Sequence, residues 1–326
     1  MKHWTDYWRQ SASLNSFAES DAASGYSGDL AEFWQQQVKD CPKEAKIVDV
    51  GTGNGALAAL IAEYGREQNK DWQISGIDAA DIDPPASVTS KPELVAKLRG
   101  IAFFGNTKIE NIPFADASVD AVVSQFAFEY ADTQAGLIEI LRVLKPGGSF
   151  VAMAHHVDSE LVTDSKRGLE IYDYVLANSP LFMQVDLLFR ISARALATMD
   201  WKAWSASQEC IAMNKSIQWT MSVISNRYAE ESDKPWLNDI FGQLVALLRG
   251  ATSMQHCEQA MQHLGDVYSA LQAHKVRITE QLNAALTKEK LIYLKKKAEL
   301  LKSSFVVNEF RINDDLFAYT LQIKKH

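Results

Sequence analysis

The sequence predicts an α/β protein: a mostly parallel sheet with helices on both faces, finished by an antiparallel hairpin and interrupted by a large helical insertion. Three observations carry that expectation. Between residues 46 and 156, apolar runs of strand length alternate with helical patterns, as successive βαβ units require. Residues 157–302 then show almost no strand signal and repeated apolar residues at helical spacing. Strand character returns only in "SFVVNEFRI" and "LFAYTLQIKK", on either side of the turn-forming "NDD". Because strands reappear so late, the helical block reads as an insertion between strands of one sheet.

The elements follow in order. Residues 1–45 are polar with interleaved aromatics (Trp4, Tyr7, Trp8, Phe17, Tyr26, Phe33, Trp34) and read as an N-terminal cover segment, with a short helix in "SGDLAEFWQQQVKD". "AKIVDV" is a buried strand and "ALAALIAEYGREQ" a helix. "WQISGID" is the second strand, stopped at "DIDPPA" where two prolines forbid continuation. "PELVAKLRG" reads as a helix, "IAFFGNT" and "SVDAVVSQF" as strands, and "TQAGLIEILRVL" as an amphipathic helix. "KPGG" reads as a turn and "SFVAMAHH" as the fifth strand. In the insertion, "LFMQVDLLFRISARALATM", "QECIAMNKSIQWTMSVISNRYAE" and "WLNDIFGQLVALLRG" are helices, the last with Gly250 where a C-terminal cap would stand. Residues 254–286 form one long helix or two. Trp201, Trp204, Trp219 and Trp236, with Met183, Met199, Met213, Met221, Met254 and Met261, are expected mostly in its core, a subset lining a substrate pocket.

The composition sets bounds. The 326 residues, 47% apolar and 23% charged, suit an ordinary globular chain with ample core. A net charge of −8 argues against a nucleic-acid backbone as the main partner. Three scattered cysteines (Cys41, Cys210, Cys257) suit reduced thiols, hence a cytoplasmic setting. The polar start "MKHWTDYWRQ" lacks a signal peptide's apolar region, and no apolar stretch approaches membrane-spanning length.

The chemistry begins at "GTGNGA", where three glycines fall within five residues between a strand and a helix. Such a corner lets a ligand press on main-chain atoms, and the following helix offers free N–H groups and a positive dipole end. A purely structural turn and two cofactors fit this alone; the pattern even satisfies the loose dinucleotide fingerprint. Asp49, two residues before the first glycine, would repel a pyrophosphate but help hold a cation. Asp78, ending the second strand, can accept both hydroxyls of a ribose. With the closing hairpin, these features disfavour NAD.

The set resembles the class I S-adenosylmethionine (SAM)-dependent methyltransferases, in particular the small-molecule, type 11 group that includes ubiquinone/menaquinone-biosynthesis enzymes. The residues that carry it are "VDVGTGNG" (48–55), "GID" (76–78), "IENIPFADASVDAVVSQFAFEY" (109–130), "LRVLKPGGSF" (141–150) and the final hairpin. The resemblance implies a seven-stranded Rossmann-like sheet over 46–156 and 303–326, a helical cap over 157–302, and SAM as cofactor with S-adenosylhomocysteine (SAH) as product. It places Gly51, Thr52, Gly53, Asn54 and Gly55 beneath the methionine moiety, Asp49 near its ammonium, Asp78 on the ribose, and Ala79 beside the adenine. Ile109 and Glu110 would flank the adenine's other side, and Gln125 and Phe126 would line the sulfonium side. Lys108 stands where many relatives carry an aspartate for the adenine amino group; lysine accepts no hydrogen bond, which turns attention to Thr107 or backbone atoms. Tyr7 or Trp8 would meet the sulfonium, where an aromatic face attracts a cation, unless the segment packs against the helical cap instead.

Candidate bases lie where open α/β sheets bind their ligands, at the C-terminal strand ends. His155 and His156 end the fifth strand; Glu129 and Tyr130 follow the fourth. Adjacent strand residues face opposite ways, so at most one histidine reaches a substrate. The plain alternative for both is hydrogen bonding at the strand-to-insertion junction. His256, Cys257 and His263 read as ordinary helix residues, and no metal is expected. The expected activity is methyl transfer to a small, partly apolar molecule under the helical cap. Three rivals stay open: an enzyme using SAM differently, a methyltransferase of protein or another macromolecule, and a non-catalytic SAM-binding protein that homodimerises through the insertion.

Overall fold

The computed structural model describes residues 1–16 and 25–326; Phe17 of the N-terminal aromatics lies outside them. Seven strands form one sheet: β1 (Lys46–Val50), β2 (Gln73–Ile77), β3 (Ala102–Phe104), β4 (Val119–Gln125), β5 (Leu144–His155), β6 (Ser303–Ile312) and β7 (Asp315–Lys325). Their order is β3-β2-β1-β4-β5-β7-β6, with β7 antiparallel to both β5 and β6 and every other pair parallel. The strand order reverses between β1 and β4, the topological switch point where open sheets bind ligands.

Period-two alternation decides what each strand shows to each face. Ile47, Ala121, Val123, Val151 and Met153 join Trp34 and Leu57 on one side. Val48, Val50, Val122, Phe150 and Ala152 join Leu137, Ile140 and Leu294 on the other. The hairpin belongs to the same core, since Ala318, Tyr319, Leu321 and Ile323 are all buried. It turns through Asn313 and Asp314, both at positive φ (50° and 69°), as a two-residue turn matching strand twist requires.

"KPGG" differs from the expected turn. It lies within β5 as a bulge, because Val119 pairs with Leu144 but Ala121 with Ser149, and Gly147 takes φ +80° to absorb the extra residues.

The chain divides into two compact units, one of residues 1–162 with 280–326 and one of residues 163–279. This differs from the expected boundaries of 157–302 and 1–45. The helix Lys288–Leu300 buries Leu291, Leu294 and Ala298 in the sheet's core, and Gly28–Val38 buries Trp34 and Val38 there. Both are structural layers of the sheet-bearing unit, because an apolar stripe of that size has to cover a sheet face.

The second unit is helical. Its polar anchor is Arg167, whose Nε and Nη2 donate to the two carboxylate oxygens of the buried Asp233 at 2.6 and 2.9 Å. Tyr172 donates its hydroxyl to Asp239 and lies 2.9 Å from His274 Nδ1. Here the expected core is corrected. Trp204 is buried, but Trp219, Met183, Met199, Met254 and Trp201 are exposed. The helix Gln208–Arg227 turns Cys210, Ile217, Thr220 and Ile224 inward, which leaves Trp219 off the buried stripe. Gly250 is the last residue of its helix rather than a left-handed cap; the cap is Ala251 at φ −85°. Among the described residues, no helix is long and apolar enough to cross a membrane.

Candidate active site

The loop after β1 holds Gly51, Gly53 and Gly55 at φ +71°, +52° and +88°, a run that side-chain-bearing residues rarely adopt. The three differ in surroundings. Gly51 faces a cavity, and a Cβ there would come within 2.1 Å of Ala127 Cβ. Gly53 lies directly under the Trp8 indole, 2.4–2.7 Å from where its Cβ would be. Gly55 abuts Phe103 and Leu98 and permits close packing where the next helix starts.

Two aspartates hold this loop from below. Asp49 shares its strand face with Ile47, is 1% exposed, and accepts a 2.6 Å hydrogen bond from the Thr52 hydroxyl. Asp78, at the end of β2, accepts from Gly53 N through Oδ2 (2.9 Å) and from Ala80 N through Oδ1 (2.8 Å). Burial raises the Asp78 carboxyl above its ordinary range, the two backbone donors opposing it. Asn54 Nδ2 reaches outward to the carbonyls of Trp8, Ser11 and Ser13 at 3.0, 3.2 and 2.9 Å, so the loop itself ties down the N-terminal segment.

Burial pushes the Asp49 carboxyl up to about 7, with the Asp78 charge adding to the rise and hydrogen bonds from Thr52 and Ala58 opposing it. In the unfolded chain the same group loses its proton near pH 4. Between about pH 4 and 7 the unfolded state therefore binds fewer protons, so Asp49's contribution to stability falls as pH rises through that window and is level above it. The Asp49→Asn protein should gain on its parent by on the order of 1 kcal/mol per pH unit there. Denaturant unfolding of both proteins at pH 5 and pH 7 measures this; an identical difference at the two pH values would show Asp49 ionised throughout.

The cavity encloses about 530 Å³, within the range of small-molecule sites. Its loop end is formed by Gly51, Asp78, Ala79 and Ile109. Its other walls are Trp4, Trp8, Phe126, Glu129 and Tyr130, with Glu280, Asn283 and Lys290. Phe126 follows β4 at φ +53°, an unusual conformation for an aromatic residue, and sits 4.4 Å from the His155 ring. Glu129 Oε1 accepts from His155 N at 2.9 Å and lies 2.7 Å from His155 Nδ1. Tyr130 is held protonated, because burial and the nearby Glu129 and Glu280 charges raise its phenol well above 10. It can donate a hydrogen bond but is no base at neutral pH.

The structure thus brings Gly51, Asp78, Ala79, Ile109, Phe126, Trp8, Glu129 and Tyr130 to one cavity. Other expected residues stand behind it or apart. Gln125 points to the opposite side of β4, accepting from Trp34 Nε1 at 2.5 Å. Thr107 donates its hydroxyl to Gly105 O, Glu110 accepts from Asp132 N, and neither these nor Lys108 line the cavity. Tyr7 packs edge-on to Trp4 and Trp8. His155 is buried behind the cavity wall with Phe126, whereas His156 faces the other way, 3.9 Å from the Tyr319 ring. That split is the strand alternation at work. Met1, Trp4, Ala127, Ala131, Glu280, Asn283, Ala284 and Lys290 are cavity residues that carried no site signal of their own, although Trp4 and Ala127 stood in segments already singled out.

Residues 48–152 match the methyltransferase-domain family. An uncharacterised methyltransferase of Bacillus subtilis is 28% identical over 127 residues, covering 38% of this chain and 46% of that one. A demethylmenaquinone methyltransferase of Thermus thermophilus is 30% identical over 124 residues, covering 37% and 53%. The chain thus spans about half the length of these curated relatives. Among solved structures, a SAM-dependent methyltransferase from Aquifex aeolicus aligns at 21% identity over 39% of this chain and 66% of that one, with a TM-score of 0.31.

Proposed function

We propose that this chain, whose residues 48–152 match the methyltransferase-domain family, is a class I SAM-dependent methyltransferase that transfers the methyl group of SAM to a small, partly apolar molecule. The observation that supports the reading is the single cavity joining Gly51, Asp78, Ala79 and Ile109 to Trp8, Phe126, Glu129 and Tyr130 at the C-terminal ends of β1, β2 and β4. Gly51 lets Ala127 pack against the loop backbone and itself borders the cavity. Asp78 keeps lone pairs free beyond its two backbone donors, enough to accept from ribose hydroxyls. Ala79 and Ile109, both lining the cavity, offer apolar contacts to an adenine.

Bound there, SAM supplies an electrophilic methyl group on a sulfonium that departs as a neutral thioether. The protein's part is alignment, exclusion of water and removal of a proton. Trp8 and Phe126 wall the site against solvent, and their rings favour positive charge nearby. Glu129, fixed by His155, is the group placed to take a proton from the acceptor. Incubation with methyl-labelled SAM and a cell extract depleted of macromolecules should release SAH and move label into a small molecule. Absence of transfer to any small molecule, with SAM bound, would overturn the reading.

A further inference from the structure

We infer, resting on the methyl-transfer reading above, that the acceptor is an amine that enters the cavity as its ammonium form and gives its proton to Glu129. One acceptor beside the cavity is unmatched. The Glu129 side chain is wholly buried, its Oε1 is committed to His155, and its Oε2 has no partner among the described residues. A buried carboxylate oxygen without a donor is costly, and Glu129 borders the cavity, so a ligand donor that reaches Oε2 would relieve that cost.

The surrounding charges say which kind of donor. The lining includes Met1, which carries an α-ammonium, and three carboxylate side chains, Asp78, Glu129 and Glu280, against one cationic side chain, Lys290. That cation is engaged, its Nζ donating to the carbonyls of Asn283, Ala284 and Ala285 at 3.0, 3.3 and 3.1 Å. Asp78 is bound to the loop. Glu280 Oε2 accepts from Trp4 Nε1 at 2.7 Å and lies 2.9 Å from His3 Nε2. Between Glu129 and Glu280 stands an aromatic wall. Trp4 stacks with Trp8 at 6.5 Å and meets Tyr130 edge-on at 5.9 Å. Carboxylates combined with aromatic faces recognise an ammonium, and they repel carboxylate or phosphate acceptors. A neutral hydroxyl would satisfy Glu129 Oε2 but gain nothing from the second carboxylate or the rings.

The step balances. Glu129 takes one proton from R–NH3⁺, freeing the nitrogen lone pair. That pair forms the N–CH3 bond as the C–S bond breaks, and its electrons pass to sulfur. The products are R–NH2⁺–CH3, SAH and a protonated Glu129 that returns its proton to solvent. Glu129 is the catalytic residue; His155 positions it.

The test is titration of the SAH-loaded protein with phenethylamine, 2-phenylethanol and 3-phenylpropionate, three probes of similar shape and different charge. Phenethylamine should bind at least about tenfold more tightly than the alcohol, as hydrogen bonds to charged groups imply, and the acid should not bind. Glu280→Gln, at a partly exposed position, should cut that preference severalfold, the SAH affinity of the variant being measured alongside. Glu129→Gln should abolish it. Equal or tighter binding of the alcohol, no binding of the amine at millimolar concentration, or a preference that survives both substitutions overturns the inference and leaves the methyl-transfer reading standing. Loss of amine preference with SAH bound and loss of SAH binding itself are separate signals. Failure of the wild-type protein to bind SAH overturns the reading beneath, and this inference with it.

Discussion

Gly53→Val will abolish cofactor binding while leaving a folded protein. The position has φ +52°, a conformation that costs a side-chain-bearing residue roughly 1–2 kcal/mol and a β-branched one more. A Cβ there would also fall 2.4 Å from the Trp8 ring, so valine must expel the indole that walls the cavity. Displacement then spreads along the hydrogen bonds on either side. Gly53 N would swing off Asp78, and the segment held by Asn54 would lose its seat. The sheet core lies elsewhere, which is why folding survives. A thermal-shift titration with SAH should show no stabilisation, where the parent protein shows several degrees. Wild-type affinity in the Gly53→Val protein would remove the loop from the binding site.

Deleting residues 303–326 has a larger effect, on folding itself. β7 pairs with β5 from Ser149 to His155 and carries Tyr319, Leu321 and Ile323 into the main core. Each of those side chains contributes about 1.5–3 kcal/mol by burial, and the deletion also exposes β5 as a long apolar edge. Domains are stable by only about 5–15 kcal/mol, so the remainder should not hold. The shortened chain is expected to be insoluble or to lack a cooperative unfolding transition. A soluble, cooperatively folding product with unchanged SAM affinity would mean that the sheet is complete without the hairpin.

Much of the fold was legible because strand periodicity is a local signal. "KIVDV" alternates between two faces that are both buried, and "NDD" already supplied the residues a tight hairpin turn accepts. "KPGG" misled because the residues that favour a turn also favour a bulge, and pairing of Ser149 with Ala121 decides between them. The helical block resisted for another reason. Trp219 and Met183 look like core residues by type, but the inward stripe of each helix is set by neighbours remote in sequence.

The site divides along the same line. Gly51, Asp78, Ala79, Phe126 and Glu129 lie one to four residues past the ends of β1, β2 and β4, where the strand pattern sets their approximate place. Trp4 and Glu280 are 276 residues apart and meet only through tertiary packing, so neither could have been found from the other. The positive φ of Phe126 is likewise invisible in the sequence, since nothing about a phenylalanine announces it.

On the proposed reading, the Gly51–Asp78 end of the cavity holds SAM. Calorimetric titration of the wild-type protein with SAM, with NAD and FAD as controls, tests it most directly. One molecule of SAM should bind per chain, weakened about ten- to a hundredfold by Asp78→Ala through lost hydrogen bonds to a charged acceptor, with no heat from NAD or FAD. Binding of NAD in place of SAM, or SAM affinity indifferent to Asp78, would contradict the account.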